Sequence, residues 1–121
     1  MQLSHYDRIG DANIKKLIHD FYIELRKDEI LRPMYKEALD EAEERLYLFM
    51  VQYLGGPKHY NEKRGLPKLR QRHAEFKVNE KAKDNWLNNM KIALSKSEID
   101  SDDQKFLWDY FVQTANFLKN S

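Results

Sequence analysis

The feature that most constrains this chain is a helix that must end at a glycine pair. Gly55 and Gly56 can take positive φ values and Pro57 cannot continue a helix, so the apolar helical pattern before them stops there. The stretch 55–67 holds three of the four glycines and two of the three prolines of the chain. It therefore predicts a loop of unusual length, and loops this long are usually functional or disordered.

Two amphipathic helices are predicted before this loop. Apolar residues spaced by three and four predict the first over residues 11–27, with Asp11 as its N-cap. Asp40 with Glu43 three residues later resembles a capping box, which predicts the start of the second. Between the two helices, Pro33 is expected to stop a short turn. The two apolar stripes are Ile14, Leu17, Ile18, Phe21, Tyr22 and Leu25, and then Ala42, Leu46, Phe49, Met50, Tyr53 and Leu54.

Two further helices are predicted after the loop. Asn79 is the expected N-cap of the third, and Ser101 with Gln104 opens the fourth. The sequence shows no period-two alternation that would indicate strands, and no internal repeat. We therefore expect an all-α protein, a single domain over residues 1–121 built as two long helix pairs that flank an irregular middle.

Length and composition exclude several classes of function. A chain of 121 residues is too small to hold a nucleotide- or flavin-binding domain beside this one, so redox chemistry would need an outside electron source. The 21 Lys and Arg residues nearly balance the 20 Asp and Glu residues, so no nucleic-acid or membrane partner is expected. The absence of cysteine removes disulfides and thiolate metal sites. Without a signal pattern or an apolar run of about 20 residues, we expect a soluble, cytoplasmic protein.

One of the four histidines, His73, stands between a basic and an apolar flank. Arg70 and Arg72 precede it and Phe76 follows, which places it where polar chain enters an apolar core. A lone histidine is more often an ordinary polar residue than a ligand, but neutral imidazole binds iron, copper or zinc well. A catalytic zinc would need two more protein ligands, and no His-x-x-x-His pair occurs. A single axial ligand suits haem, whose other four ligands come from the macrocycle.

Aromatic residues with polar tips recur in the predicted core. Tyr22, Tyr53 and Trp86 lie in the stripes, and Tyr35 lies in the adjoining connection. Each tip needs a hydrogen-bond partner when buried, and for any one of them the simpler interpretation is that the tip reaches the surface. Several together indicate an apolar cavity with a few converging donors, as in a small-ligand site. No hydrolase motif and no phosphate-binding loop is present.

The segment from Lys58 to Arg72 carries six Lys or Arg residues against one acid, Glu62. A solvated loop is one interpretation of this excess of positive charge. The others are a cradle for the carboxylates of a bound cofactor and a docking face for an acidic partner. Aromatic residues are too sparse there for a nucleic-acid platform.

Taken together, these residues resemble a known family, the truncated haemoglobins of group II. The resemblance runs from Tyr6 to about Asn120 and implies a two-over-two helical sandwich around a b-type haem, with the long middle loop in place of one globin helix. It rests on Phe21-Tyr22, Ala42-Glu43-Glu44-Arg45-Leu46, Gln52-Tyr53-Leu54-Gly55-Gly56-Pro57, Tyr60, Arg64-Gly65, Leu69-Arg70, Arg72-His73, Trp86-Leu87 and Met90.

The resemblance assigns roles to individual residues. It implies that His73 is the proximal iron ligand and that the distal donors to a bound ligand are Tyr22, Tyr35 and Trp86. Ala42 falls where many globins place a distal histidine. Further implied pocket residues are Leu46 in the distal wall, Phe49, Met50, Leu69 and Phe76 around the haem, and Arg45 and Arg72 at its propionates. The chain departs from the usual pattern at Leu66 and Glu75, where histidine and proline are frequent, and at Gly10-Asp11, where a glycine pair is frequent.

The implied function is oxygen binding or transport. An axial imidazole leaves ferrous iron open to O₂, CO or NO, and phenol or indole donors stabilise the charge that develops on O₂. NO dioxygenase or peroxidase-like turnover would need an external reductase. A monomer or homodimer is expected. The alternative is a haem-free helical interaction module whose aromatic residues form only core.

Overall fold

A computed structural model describes residues 3–35, 38–60 and 79–118. The predicted Leu69, Arg72, His73 and Phe76 lie outside these ranges. The described residues contain helices and no strand, which confirms the all-α prediction. The elements are α1 (His5–Ile9), α2 (Asp11–Arg26), a 3₁₀ helix (Arg32–Met34), α3 (Leu39–Tyr53), α4 (Glu80–Ser95) and α5 (Ser101–Leu118).

Helix α2 forms the centre of the fold. It packs against α3 on one side and against α4 on another, and α4 also packs against α5. The predicted apolar stripe of α2 is buried throughout, with Ile18, Phe21 and Leu25 fully enclosed. From the opposite helices, Met50, Met90 and Phe111 meet this stripe in the same core cluster. Burying this set of side chains is the main stabilising contribution to the fold. No helix in the described ranges is long and apolar enough to cross a membrane.

The start of α2 differs from the prediction. Asp11 is the first residue of the helix rather than its N-cap, which is Gly10 at φ +90°. The Asp11 carboxylate instead accepts hydrogen bonds from Tyr47 at 2.6 Å and Tyr6 at 3.3 Å. It thereby connects α1, α2 and α3. Helix α1 was not predicted, and it begins with a capping box between Ser4 and Asp7.

The capping box predicted at the start of α3 is wrong. The N-cap is Ala38, which makes no side-chain cap hydrogen bond. Asp40 instead pairs with Arg26 at 2.8 Å, and Glu43 pairs with His19 at 3.0 Å. Both partners belong to α2, so the acidic residues at this helix start join two packed helices.

The end of α3 follows the prediction. The Gly55 N–H donates to the carbonyl of Gln52 at 3.1 Å, and the Gly56 N–H donates to the carbonyl of Val51 at 2.8 Å. These two bonds form a Schellman motif, with Gly55 at φ +100°. A Cβ atom on Gly56 would lie 2.7 Å from the Tyr6 ring, so the second glycine is required by close packing.

Of the other predicted boundaries, the one at Pro33 is wrong, and the helix starts at Asn79 and Ser101 are confirmed. Pro33 does not end a turn but lies inside the 3₁₀ helix, where its fixed φ fits the first helical positions. Asn79 caps α4 as predicted, with its side-chain oxygen accepting from the Ala82 N–H at 2.9 Å. Helix α5 begins at Ser101 as predicted, although the capping acceptor is Asp100, which accepts from the Asp102 N–H.

Candidate functional site

Tyr22 places a hydroxyl in the middle of the packed helices. Its side chain lies on the buried face of α2 and is only 3% exposed, with the Phe21 ring edge-on at a centroid distance of 5.1 Å. The hydroxyl donates to the backbone carbonyl oxygen of Ala42 on α3 at 3.3 Å. The Tyr35 hydroxyl is a second hydrogen-bond partner. The phenol proton of Tyr22 therefore lies between two acceptors in an apolar environment.

Tyr35 and Trp86 complete a cluster of three polar aromatic residues. Tyr35 follows the 3₁₀ helix, and its ring lies edge-on to Tyr22 with the centroids 6.3 Å apart. The Trp86 indole on α4 donates to the Tyr35 oxygen. Phe21 and Phe111 hold the indole in place at centroid distances of 4.9 and 5.6 Å. The three residues predicted as distal donors, which come from three separate elements, are thus brought together.

The environment keeps these phenols protonated. Burial raises the pKa of Tyr22 well above its ordinary value of 10.0, Tyr35 adds to the rise, and the charge of Arg45 opposes it. Burial also raises the pKa of Tyr35, although hydrogen bonds from Trp86 and Tyr22 and the charge of Arg45 act in the opposite direction. Near neutral pH the cluster therefore offers neutral hydrogen-bond donors and no general base.

Apolar residues of α3 form a wall beside the cluster. Ala42 and Met50 are each 1% exposed, while Leu46 and Phe49 are partly buried and pack against the core. Ala42 has no side chain beyond Cβ, so next to the Tyr22 hydroxyl it contributes only a small apolar surface and its backbone carbonyl. Apolar side chains lower the local dielectric, so this wall strengthens hydrogen bonds made beside it.

Arg45 is a charged residue of α3 that acts on this cluster. It is partly buried, and its positive charge acts on both Tyr22 and Tyr35, lowering the pKa of each. A guanidinium in this place suits a carboxylate partner, because it can form charge-assisted hydrogen bonds. Its predicted counterpart, Arg72, lies outside the described residues.

Tyr53 does not join the cluster, although its place in the second stripe made it a candidate donor. Its side chain is 45% exposed and stacks on Tyr110 of α5, with the ring centroids 4.0 Å apart. For this residue the simpler interpretation, a polar tip at the surface, is therefore correct.

A polar group that the sequence analysis did not single out lies next to the cluster. Asp28, in the turn after α2, accepts hydrogen bonds from Asn85 at 3.3 Å and from Asn89 at 2.9 Å. The signal that could have indicated it is a pair of asparagines four residues apart on either side of Trp86. Asparagine is a poor helix former, so two on one helix face suggest a tertiary role.

The described residues fit one side of a haem pocket. The three donors are neutral, the adjoining wall is apolar and small at Ala42, and Arg45 offers a cation for a carboxylate. This donor set suits a weakly charged acceptor such as a haem ligand, and it lacks the carboxylate and imidazole groups that a bare metal ion would need. His73, which the resemblance implies as the axial iron ligand, lies outside the described ranges.

Comparison with known proteins agrees with the fold. The family model of the bacterial-like globins matches residues 4–120. The group 2 truncated hemoglobin YjbI of Bacillus subtilis is 32% identical over 115 residues, covering 95% of this chain and 87% of that protein. The crystal structure of a hemoglobin from Chloroflexus aurantiacus superimposes with a TM-score of 0.96, at 32% identity and with 99% and 100% of the two chains covered.

A third similar protein is an oxygen-avid haemoglobin. The X-ray structure of a truncated oxygen-avid haemoglobin from Bacillus subtilis superimposes with a TM-score of 0.92, at 31% identity, and covers 98% of this chain and 100% of that one. This chain belongs to the bacterial-like globins and, within them, to the truncated haemoglobins of group II. Membership implies a haem with its iron and the binding of oxygen. The two-over-two fold predicted from the sequence is confirmed.

Proposed function

We propose that this chain binds haem b and holds diatomic ligands beside the cluster of phenol and indole groups. The observation that carries the proposal is the convergence of three neutral donors, those of Tyr22, Tyr35 and Trp86, at one buried place. When bound, haem b would supply a ferrous iron that binds O₂, CO or NO. His73 is the proposed ligand of the other axial position, as the resemblance implies.

The donors discriminate between ligands by charge. O₂ develops negative charge when it binds, so a hydrogen bond from Tyr22 or Trp86 stabilises it more than it stabilises the nearly apolar CO. The raised pKa of Tyr22 keeps its donor protonated throughout the neutral range. Ala42 leaves no imidazole to compete with the ligand or to obstruct its entry. The described residues therefore favour retention of O₂.

The remaining pocket residues hold the cofactor itself. Arg45 and Arg72 are the proposed partners of the haem propionates. The proposed apolar lining comes from α3 and from the segment before α4: Leu46, Phe49, Met50, Leu69 and Phe76. Removing water from the haem faces stabilises haem binding and slows oxidation of the iron.

Absorption spectroscopy of the purified protein tests haem binding directly. A Soret band that shifts on reduction and again on addition of CO is expected. Absence of a Soret band after expression with haem supply, in a protein with an unchanged helical circular dichroism spectrum, would favour the alternative of a haem-free helical interaction module.

Redox turnover is a further part of the proposal. Oxidation of NO to nitrate would consume one NO, one O₂ and one electron, and an external reductase would have to supply the electron. Peroxidase-like turnover is less favoured, because the protonated phenols offer no base to take a proton from peroxide. The test is nitrate formation when the O₂-loaded protein is mixed with NO, with ferric protein as the second product.

The cellular context is proposed from the sequence. A cytoplasmic protein that acts as a monomer or homodimer, without a nucleic-acid or membrane partner, agrees with its near-neutral charge balance. Fractionation of the source cells and light scattering of the purified protein test the two statements separately.

A further inference from the structure

Asp28 organises the turn that leads from α2 to Tyr35. Its Oδ1 atom accepts hydrogen bonds from the backbone N–H groups of Ile30 at 2.9 Å and of Leu31 at 3.0 Å. Its own carbonyl oxygen accepts from the Arg32 N–H at 2.9 Å, which leads directly into the 3₁₀ helix. One residue therefore determines the backbone course of the short segment that ends at Tyr35.

The same carboxylate binds α4 on both sides of Trp86. Its Oδ1 atom also accepts from the Asn85 amide at 3.3 Å, and its Oδ2 atom accepts from the Asn89 amide at 2.9 Å. Asn89 is one of the few buried polar residues, at 6% exposure. Because Asn85 and Asn89 lie one helical turn apart, the carboxylate fixes both the height and the rotation of α4 relative to the turn.

These contacts form one polar link between the turn and α4, and a second one lies beside it. The other link is the hydrogen bond from the Trp86 indole to Tyr35. Both links join the segment 28–35 to the same turn of α4, so a change in one alters the geometry of the other. The donors to Asp28 are all neutral amides, and partial burial of the carboxylate is offset by four hydrogen bonds that together lower its pKa.

We propose that Asp28 is a positioning residue for the distal donors. By holding the segment 28–35 in register with α4, it keeps Tyr35 and the Trp86 indole at hydrogen-bond distance, and so it controls how well the cluster stabilises bound O₂. The inference rests on the proposed function, since it concerns the same site. Asp28 itself need not contact the ligand.

Two variants remove the link to different extents. Asp28→Ala removes both carboxylate acceptors, whereas Asn89→Leu removes only the shorter contact with α4 and leaves the turn acceptors in place. We expect O₂ dissociation to become roughly 2- to 10-fold faster in both, the effect of weakening one neutral hydrogen bond, with little change in CO dissociation. Asp28→Asn keeps the oxygen that accepts from the turn but places an NH₂ donor opposite the Asn89 amide, so its O₂ dissociation rate should lie between those of the wild type and Asp28→Ala.

A buried carboxylate elsewhere in the fold provides the matched control. Asp103 is 3% exposed and pairs with Arg8 at 3.1 Å, joining α1 to α5 away from the cluster. Asp103→Ala should destabilise the protein to a similar degree and leave the O₂ dissociation rate unchanged. Equal acceleration in Asp103→Ala and Asp28→Ala would overturn the proposal, because the effect would then follow from general loss of stability.

A second measurement observes the donor itself. In the CO-loaded protein, the indole N–H resonance of Trp86 should shift in Asp28→Ala and Asn89→Leu, while that of Trp108 on α5 serves as an internal reference. An unmoved Trp86 resonance in both variants would refute the positioning role. If Trp86→Phe does not alter O₂ dissociation but the Trp86 resonance still shifts in Asp28→Ala, then the donor role fails and the positioning role stands.

Discussion

The hydroxyl of Tyr22 lies 3.3 Å from the backbone carbonyl oxygen of Ala42, across the contact between α2 and α3. This distance is long for an O–H donor, whose bonds are usually near 2.7 to 2.8 Å. The bond therefore orients the hydroxyl but costs little to break. A stronger, partly charged acceptor can replace the carbonyl as the acceptor of this hydrogen bond, which is the proposed physical basis for ligand stabilisation by Tyr22.

Removing the distal donors should accelerate O₂ release. In Tyr22→Phe and Trp86→Phe we expect O₂ dissociation to rise roughly 10- to 150-fold, because a hydrogen bond to a charged acceptor in a dry site contributes about 1.5 to 3 kcal/mol. CO dissociation should change much less. Stopped-flow displacement of O₂ by CO measures the rates, and the double variant should exceed both single variants.

Tyr47→Phe is the control for that series. Like Tyr22→Phe, this variant removes a single tyrosine hydroxyl. The hydroxyl of Tyr47 is on α3 and donates to Asp11 at 2.6 Å, outside the cluster. Its O₂ dissociation rate should match that of the wild type. Equal rates in the wild type and in the Tyr22→Phe, Trp86→Phe double variant would show that these aromatic residues only pack.

Replacing His73 should abolish stable haem ligation. His73→Ala removes the proposed axial imidazole, so the haem-to-protein ratio measured by the pyridine haemochrome assay should fall sharply after purification. His19→Ala is the control, because His19 is an exposed residue paired with Glu43 and should keep full haem content. Stoichiometric haem with an unchanged ferrous spectrum in His73→Ala would show that the proximal assignment is wrong.

Loss of the proposed propionate partners should weaken haem retention modestly. Each of Arg45→Ala and Arg72→Ala should accelerate haem transfer to apomyoglobin a few-fold, since a partly exposed charge-assisted contact contributes on the order of 1 kcal/mol. Transfer should also become more sensitive to salt. Arg26→Ala, which loses the surface pair with Asp40, is the control. Wild-type transfer rates in both variants would remove these arginines from the site.

The phenol cluster predicts a specific response to alkaline pH. Because the pKa of Tyr22 is raised well above 10.0, its donor stays protonated and O₂ dissociation should be constant from about pH 6 to about pH 9. Above pH 10 the unfolded chain releases this proton more readily than the folded chain, so folding stability falls as pH rises. In an alkaline titration followed by absorbance at 295 nm, Tyr22→Phe should show one fewer tyrosine that ionises only well above pH 10. An increase in O₂ dissociation around pH 8 would contradict the assignment.

Asp28 predicts a response in the acid range. Hydrogen bonds lower its pKa below the ordinary value of 3.8, so its stabilising contribution is complete well above that value and is lost as pH falls through the folded pKa. At pH 7, Asp28→Ala should reduce the free energy of unfolding by about 1 to 2 kcal/mol. Urea unfolding at several pH values should show this difference shrinking below about pH 4. A difference independent of pH would mean that the ionised form is not the one bound by the amides.

Local patterns in the sequence predicted most helix boundaries. The apolar repeat placed α2 within one residue of its observed end at Arg26, and Gly55 and Gly56 marked the end of α3, because helix stop signals act over a few adjacent residues. The capping box predicted at Asp40 is wrong because a carboxylate near a helix start can either cap that helix or pair with a cation on a neighbouring helix. Here Asp40 pairs with Arg26 of α2, and this ion pair depends on the packing of α2 on α3.

The sequence by itself determined the all-α class and the family, since both depend on periodicity and on residues in a recognisable order. It named Tyr22, Tyr35 and Trp86 as donors, but it could not show that they meet. That depends on α2, the 3₁₀ segment and α4 packing at one place, an outcome of the whole buried core. The contacts of Asp28 with α4 could not be predicted from the sequence either, because its hydrogen-bond partners there are distant in sequence. Only tertiary packing brings a carboxylate and two amides together around Trp86.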